Sequence, residues 1–453
     1  MSHAISPLDG RYRERVAPLS EWFSEFALMR ERCAVELDYV LALEAIGRFR
    51  PLTAEERRRI EAARSGFGEE DFHRIKEIEA EIRHDVKACE LFLRERLALR
   101  QPQRIHFGLT SEDINNLAYT ACLHGFLEGV QLPRLGELLT TLRDLAEQWK
   151  DVPFPARTHG QAATPTTAGK EIAVFLMRLL RAYRELRGTR FFGKLNGATG
   201  TYAAQQAAFP DFDWIEFSRA FVTQRDLEFN LCTTQVEDHD SWAAYLDLTR
   251  RINGIVLDLD LDLWEYISRG WLRQKPVPGE VGSSTMPHKV NPIRFENSEG
   301  NLTISNALLA AISEKLSRSR MQRDLSDSTV SRNLGVALAH AHLAIGETVA
   351  GLRQIDVNPE NTLADLDGSP ELLAEPYQTI LKAAGVRDAY ERLRRETRGQ
   401  DVALADLHRI AEDPALPTDV QERLKTLRTR DYVGLAVRVC EEVVAVCREE
   451  MDE

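Results

Sequence analysis

The sequence has no cysteine pair with metal-binding spacing. Its six cysteines stand at 33, 89, 122, 232, 440 and 447 and include no CxxC, so they read as free thiols of a reducing compartment, which points to the cytoplasm. No apolar run approaches the roughly 20 residues that span a bilayer, and the start, "MSHAISPLDGRYRERV", has no apolar segment of the kind a secretory signal needs. Membrane insertion and export are therefore not expected. There is no excess of positive charge either: the formal net charge is -13, which argues against a uniformly basic nucleic-acid surface while leaving room for local basic pockets. Neither GxGxxG nor a Walker A loop occurs; "NGATGTY" (196–202) is only a partial likeness, so a nucleotide cofactor held in either standard way is not expected. His340 and His342 are two apart, which on a helix points them to different faces and leaves no metal motif.

Proline is missing over long windows. Residues 166–209, 211–275 and 293–358 contain none, and since proline disrupts helix interiors, helices far longer than the usual 11–12 residues are possible there. Within the second window, "RINGIVLDLDLDLWEYI" (251–267) alternates Leu257, Leu259, Leu261 and Leu263 with Asp258, Asp260 and Asp262, a strand-like pattern. Ile252, Ile255, Leu259, Leu263 and Tyr266 also trace a helical stripe, and the proline-free surroundings favour helix. No convincing run of consecutive strands appears, so the fold class is all-α. With 453 residues, 43% of them hydrophobic, a soluble chain of two or three domains is expected. Breaks at "LRQPQRIHFGLTSED" (99–113) and at the turn-rich "QIDVNPENTLADLDGSP" (354–370) suggest an N-terminal helical domain (1–100), a central long-helix domain (101–353) and a C-terminal helical domain (354–453). The last ends in the amphipathic "RDYVGLAVRVCEEVVAVCREEM".

Polar islands interrupt this helical background: "DGRY" (9–12), "RHDVKA" (83–88), "GLTSEDINN" (108–116), "RTHGQAATPTT" (157–167), "PGEVGSSTMPHKVNPIRFENSEGN" (278–301) and the basic tract "RSRMQRDLSDSTVSRN" (318–333). Each has a plain structural reading. Thr110-Ser111-Glu112-Asp113 suits a helix N-terminus, with a hydroxyl cap and acids in the first turn. His159 suits a loop histidine bonded to backbone, and His84 beside Asp85 a surface pair. The 318–332 arginines, alternating with Asp324 and Asp327, suit a solvated helix face. His288 has no local spacing that favours catalysis.

Taken together, the islands carry more. "GSSTMPHKVNP" (282–292) matches the GSSxMPxKxNP signature of the fumarase/aspartase superfamily, and with "SPLDGRY", "RHDVKA", "TSEDINN", "THGQ", "TTQVEDHD" and "QRDLSDSTVSRNLG" the chain resembles the adenylosuccinate lyase family of the bacterial type, at least from residue 6 to 335. That resemblance implies a three-domain, mostly helical fold whose long central helices form a homotetramer core, with active sites shared among subunits. It implies β-elimination of fumarate from adenylosuccinate, giving AMP, and from succinylaminoimidazole carboxamide ribotide (SAICAR), giving AICAR. The partners are succinyl-purine nucleotides, and neither cofactor nor metal is expected.

The same resemblance implies the site residues. Ser283 is the general base, on a loop whose Gly279 and Gly282 let it close over substrate. A serine hydroxyl can do this only where donors stabilise its alkoxide. His159 is the general acid, oriented by Glu296. Lys289 and Asn291 face the succinyl carboxylate and its developing charge, and His84 the leaving-group or phosphate side. Arg11, Tyr12, Arg323, Ser328 and Arg332 bind the phosphate, Asp85 the nucleotide, Thr110 and Ser111 the succinyl carboxylate. Gln235 adds an amide contact and Arg83 a further substrate contact. Two positions depart from the family: Ala162 stands where proline often follows THGQ, and Arg83 where close relatives often have asparagine. A sister lyase acting on argininosuccinate, aspartate or malate is disfavoured by the phosphate-binding arginines. A scaffold that had lost activity is disfavoured by the intact Ser283, Lys289, Asn291, His159 and Glu296.

Overall fold

A computed structural model describes residues 3–276, 279, 285–286, 288–398 and 402–452. Helix dominates. The elements used below are α1 (Glu25–Ala42), α2 (Asp85–Leu97), α3 (Ser111–Phe126), β1 (Pro153–Thr158), β2 (Gln161–Thr167), β3 (Phe192–Gly193), β4 (Glu228–Phe229), α4 (Asp240–Ser268), β5 (Leu272–Gln274), α5 (Ile293–Leu316), α6 (Ser326–Ser331), α7 (Leu334–Leu352), β6 (Ile355–Val357), α8 (Pro359–Asp367) and α9 (Ala436–Asp452). Strands among the described residues are confined to three two-stranded sheets, β1–β2, β3–β4 and β5–β6.

Residues 251–267 are helical, inside the 29-residue α4. Ile252, Ile255, Leu259 and Leu263 are buried as the helical stripe requires. Leu261, one of the alternating leucines, is exposed: the strand-like alternation is a coincidence of two periods. The 354–370 segment differs from its reading as a turn-rich break. It holds β6 and then α8, whose Pro359 occupies the first helical turn. A proline there loses no hydrogen bond, because the first helical N–H groups have no partner to lose. The basic tract 318–333 likewise does not form one helix face; an irregular stretch precedes the short α6.

The chain divides into two compact units: residues 1–134, 182–254 and 300–344, and residues 135–181, 255–299 and 345–453. In the first, Met29, Cys33 and Leu37 form an i, i+4, i+8 stripe on α1 that is buried with Ala88, Cys89, Phe92 and Leu93 of α2. Ring packing fixes its neighbours: a Cβ added at Gly125 of α3 would stand 2.1 Å from Trp22 Cζ3. The long helices meet through polar groups here. Asn253 of α4 donates to Ser305 Oγ of α5 at 3.1 Å, and Ser305 Oγ donates to the Ala337 carbonyl of α7 at 2.8 Å.

In the second unit the same three helices meet again. Thr348 of α7 donates to Asp260 of α4 at 2.9 Å, and Thr348 lies 2.9 Å from Ser298 Oγ of α5. Burial raises the Asp260 carboxyl far above the usual carboxylate range, and the Ser298 and Thr348 hydroxyls offset only part of that. A separate apolar cluster around Leu373, Tyr377, Leu381, Leu407 and Leu424 organises the C-terminal helices. Lys150 pairs with Glu441 of α9 at 2.9 Å.

Gly125→Ala tests the Trp22 contact. The added methyl has no room, so the variant should lose about 1–3 kcal/mol and melt below the wild type; an unchanged melting temperature would rule out this packing.

Candidate active site

In the first unit the site residues gather around two carboxylates. Arg83 ends the preceding helix in the left-handed region, φ 57°, turning the chain so that His84 caps α2: His84 Nδ1 accepts from the Lys87 N–H at 3.2 Å. Asp85 follows in the first helical turn. Its carboxylate lies 3.0 Å from Arg32 and 3.3 Å from Arg332, and it accepts from the Val86 N–H at 2.9 Å. Burial alone would raise this carboxyl; Arg32, the Val86 N–H and Arg332 hold it below the usual range. Arg32, Asp85, Tyr119, Ser331 and Arg332 line a cavity of about 260 Å³. A second cavity, of about 440 Å³, brings the N-terminal segment (Ser6, Asp9 and Arg13) beside Arg332. Arg11 lies over the ring of Tyr12, 5.9 Å from its centroid.

The second carboxylate is Asp113, fully buried in the first turn of α3. It accepts from the Thr110 N–H (2.9 Å), the Asn196 N–H (3.1 Å) and the Gly197 N–H (3.2 Å), and pairs with the equally buried Lys194 at 3.0 Å. The helix start is therefore capped by Asp113, and the Thr110 side chain makes no cap hydrogen bond. Ser111 opens the helix beside it. Next to them, Arg323 pairs with Glu112 at 3.0 Å and donates to Gln235 Oε1 at 3.3 Å, while Gln235 Nε2 donates to the Ala198 carbonyl at 3.0 Å. Gln235, Arg323, Thr199 and Arg320 line an open groove of about 820 Å³. Ser328 lies in α6, where its N–H donates to Asp327 at 2.6 Å. The sequence reading thus misses Arg32, Glu112, Asp113 and Lys194. Glu112 and Asp113 stand in the quoted motif but read as capping acids; Arg32 has no local signal at all.

In the second unit, β1 and β2 pair antiparallel with Thr158 opposite Gln161. His159 and Gly160 form the two-residue turn between them, both with positive φ, 54° and 76°, as the tightest hairpin loops require. His159 is exposed at that tip. Glu296 lies in the first turn of α5 and accepts from Trp264 Nε1 at 3.1 Å. Among the described residues of this chain, it shares no hydrogen bond with His159, its expected partner. Asn291 lies two residues before α5, and Lys289 is exposed, its N–H donating to the Met286 carbonyl at 3.1 Å. Ser283 and Gly282 lie outside the described residues.

Comparison with known proteins gives this pattern its context. A family profile described as "Lyase" matches residues 10–305, and one described as "Adenylosuccinate lyase C-terminal" matches 319–433. The chain is 43% identical over 448 residues to the adenylosuccinate lyase of Escherichia coli K12, covering 97% of this chain and 98% of that one. It belongs to the adenylosuccinate lyase family. A eukaryotic member, from Dictyostelium discoideum, is 41% identical over 95% of this chain and 96% of its own. More distant solved structures share the fold. A fumarate lyase from Mesorhizobium sp. BNC1 matches with a TM-score of 0.77 at 19% identity, over 95% of this chain and 97% of that one. A 3-carboxy-cis,cis-muconate lactonizing enzyme from Pseudomonas putida matches with 0.77 at 21%, over 96% and 97%. The fold is the predominantly helical one of the fumarase/aspartase superfamily.

Beside the groove, the family motif "TTQVEDHD" contains a buried carboxyl that pairs with no cation among the described residues. Glu237 accepts from Asn230 Nδ2 at 2.8 Å and the His239 N–H at 2.9 Å; burial pushes it up to about 7. A carboxyl raised on folding stabilises the fold below its unfolded value of 4.5 and loses that contribution as pH rises to about 7. The loss amounts to about 3 kcal/mol. Relative to wild type, Glu237→Gln should therefore melt progressively higher as pH goes from 4.5 to 7.5. A melting difference that stays constant across that range would show that Glu237 does not titrate there.

Proposed function

We infer that this chain is an adenylosuccinate lyase that eliminates fumarate from adenylosuccinate and from SAICAR. The observation that carries this reading is the near-full-length similarity to adenylosuccinate lyases, at 41–43% identity, joined to a site rich in arginine and hydroxyl groups. The reaction is a β-elimination across a C–N bond. A base removes the proton beside a succinyl carboxylate, negative charge spreads onto that carboxylate, and an acid protonates the departing nitrogen.

We propose the following roles. Ser283 takes the proton, and Lys289 and Asn291 stabilise the charge that develops. His159 protonates the leaving nitrogen; its exposed place at a hairpin tip leaves the imidazole open to substrate. Glu296 orients His159, and His84 borders the leaving group or phosphate. Thr110 and Ser111 receive the succinyl carboxylate at the start of α3, where the positive end of the helix favours an anion. The Thr110 side chain is open to that task because Asp113 does the capping. Arg11, Tyr12, Arg323, Ser328 and Arg332 take the phosphate, Asp85, Gln235 and Arg83 further parts of the substrate. Guanidinium forks match phosphate oxygens well.

We propose further that the enzyme is a homotetramer whose subunits share active sites. Two observations support this: His159 and Glu296 share no hydrogen bond among the described residues of one chain, and Leu261, Trp264 and Ile304 on the long helices are exposed. No described helix is long and apolar enough to cross a membrane, which fits the proposed cytoplasmic location.

With purified protein, absorbance should report fumarate release from adenylosuccinate and from SAICAR; no release from adenylosuccinate would overturn the assignment. His159→Ala and Ser283→Ala should each lower kcat by about 10²–10⁴-fold, the usual worth of a general acid or base, while still binding substrate. Near-normal turnover in either would remove it from its role. Light scattering should give a tetramer, and an active monomer would refute shared sites.

A further inference from the structure

We propose that Arg32 is a positioning residue of the elimination reaction, fixing Asp85 on one side and the Asn115–Glu112 pair on the other. This rests on the reading above that Asp85 and Arg323 meet the nucleotide. Arg32 lies on α1, away from every polar island of the sequence, and its side chain is only 3% exposed. One guanidinium edge faces Asp85 at 3.0 Å, and Nε donates to Asn115 Oδ1 at 2.9 Å. Asn115 Nδ2 donates to Glu112 at 3.3 Å, and Glu112 pairs with Arg323 at 3.0 Å. A continuous polar chain therefore runs from Asp85 through Arg32, Asn115 and Glu112 to Arg323 and Gln235. It sets the spacing between two residues that come from distant parts of the sequence.

The two arginines on Asp85 differ in kind. The Arg332 side chain is 54% exposed; it can turn to an arriving phosphate at little cost. Arg32 cannot leave, because a guanidinium buried without its carboxylate is costly. When Arg332 engages phosphate, Arg32 and the Val86 N–H keep Asp85 charged, and Arg32 is the cation left to aim it. Without Arg32, burial would drive Asp85 toward its protonated form. A planar fork is needed for this: one ammonium cannot serve Asp85 and Asn115 in the two directions that Nη1 and Nε take.

The test is steady-state kinetics on full-length wild type, Arg32→Gln, Asp85→Asn, the double variant and Arg32→Lys, with adenylosuccinate. Arg32→Gln should raise KM about tenfold or more with kcat within about threefold, and move the acidic limb of kcat/KM to higher pH. The double variant should lose far less than the product of the two single losses, since the two residues act through one contact. A KM within about twofold of wild type, or losses that multiply, would overturn the proposal even if Arg32→Gln melts lower. Should Arg32→Gln not fold, Arg32→Lys decides: a KM raised about three- to tenfold supports the role, and a wild-type KM refutes it. Inactive wild type would sink the lyase reading and this proposal together, whereas active wild type with multiplying losses sinks this proposal alone.

Discussion

The first unit depends on a carboxylate that has left water. Asp113 is fully buried, and an isolated charge there would be prohibitively costly. Four donors offset that cost: the Lys194 ammonium and three backbone N–H groups. Each donor is also a constraint. The Thr110 N–H ties the start of α3, and the Asn196 and Gly197 N–H groups tie the loop that presents the Ala198 carbonyl to Gln235. One ion pair therefore registers the hydroxyl pair of "TSED" against "NGATG" and "TTQ". The motif that lacks the nucleotide-binding glycine spacing has a structural task instead. Gly200 adopts φ 72°, and a Cβ there would stand 2.1 Å from the Thr233 carbonyl, so only glycine lets the two loops approach so closely.

The second unit solves the same problem differently. Asp260 is as deeply buried but meets hydroxyls rather than a cation. Burial then dominates, and the group is favoured as a neutral acid. A neutral carboxyl, Thr348 and Ser298 fix the register of three long helices without placing a charge among them. Asp113 instead meets the Lys194 ammonium, so its charge is balanced within the first unit.

Much of the fold was legible in the sequence because proline placement and the 3.6-residue stripe are strong local signals. The window 211–275 contains α4, and 293–358 contains α5 and α7. The hairpin at 153–167 was not legible. Prolines at 153, 155 and 165 and a run of small residues hide its alternation, and its turn rests on positive φ at His159, which composition does not announce. The signature islands named candidate residues through resemblance, but the residues that hold them had no such mark. Arg32, Lys194 and Trp264 lie far in sequence from the groups they contact, and long-range pairing leaves no local period to read.

The electrostatic logic of the arginines follows from these contacts. A chain of net charge -13 that takes a polyanion must keep cations available without leaving them unbalanced. In the first unit Arg332 and Arg323 are each matched to a carboxylate, Asp85 and Glu112, but not equally. The Arg332 side chain is half open to solvent, and exposed pairs contribute only about 0–1 kcal/mol, so little holds Arg332 to Asp85. The Arg323 pair is more enclosed: Glu112 is buried, and desolvation raises its carboxyl although Arg323 opposes the shift. Drawing Arg323 toward an anion would strengthen that rise and favour proton uptake by Glu112. The exposed arginine is thus free to move between partners, while the enclosed one is held in a fixed orientation.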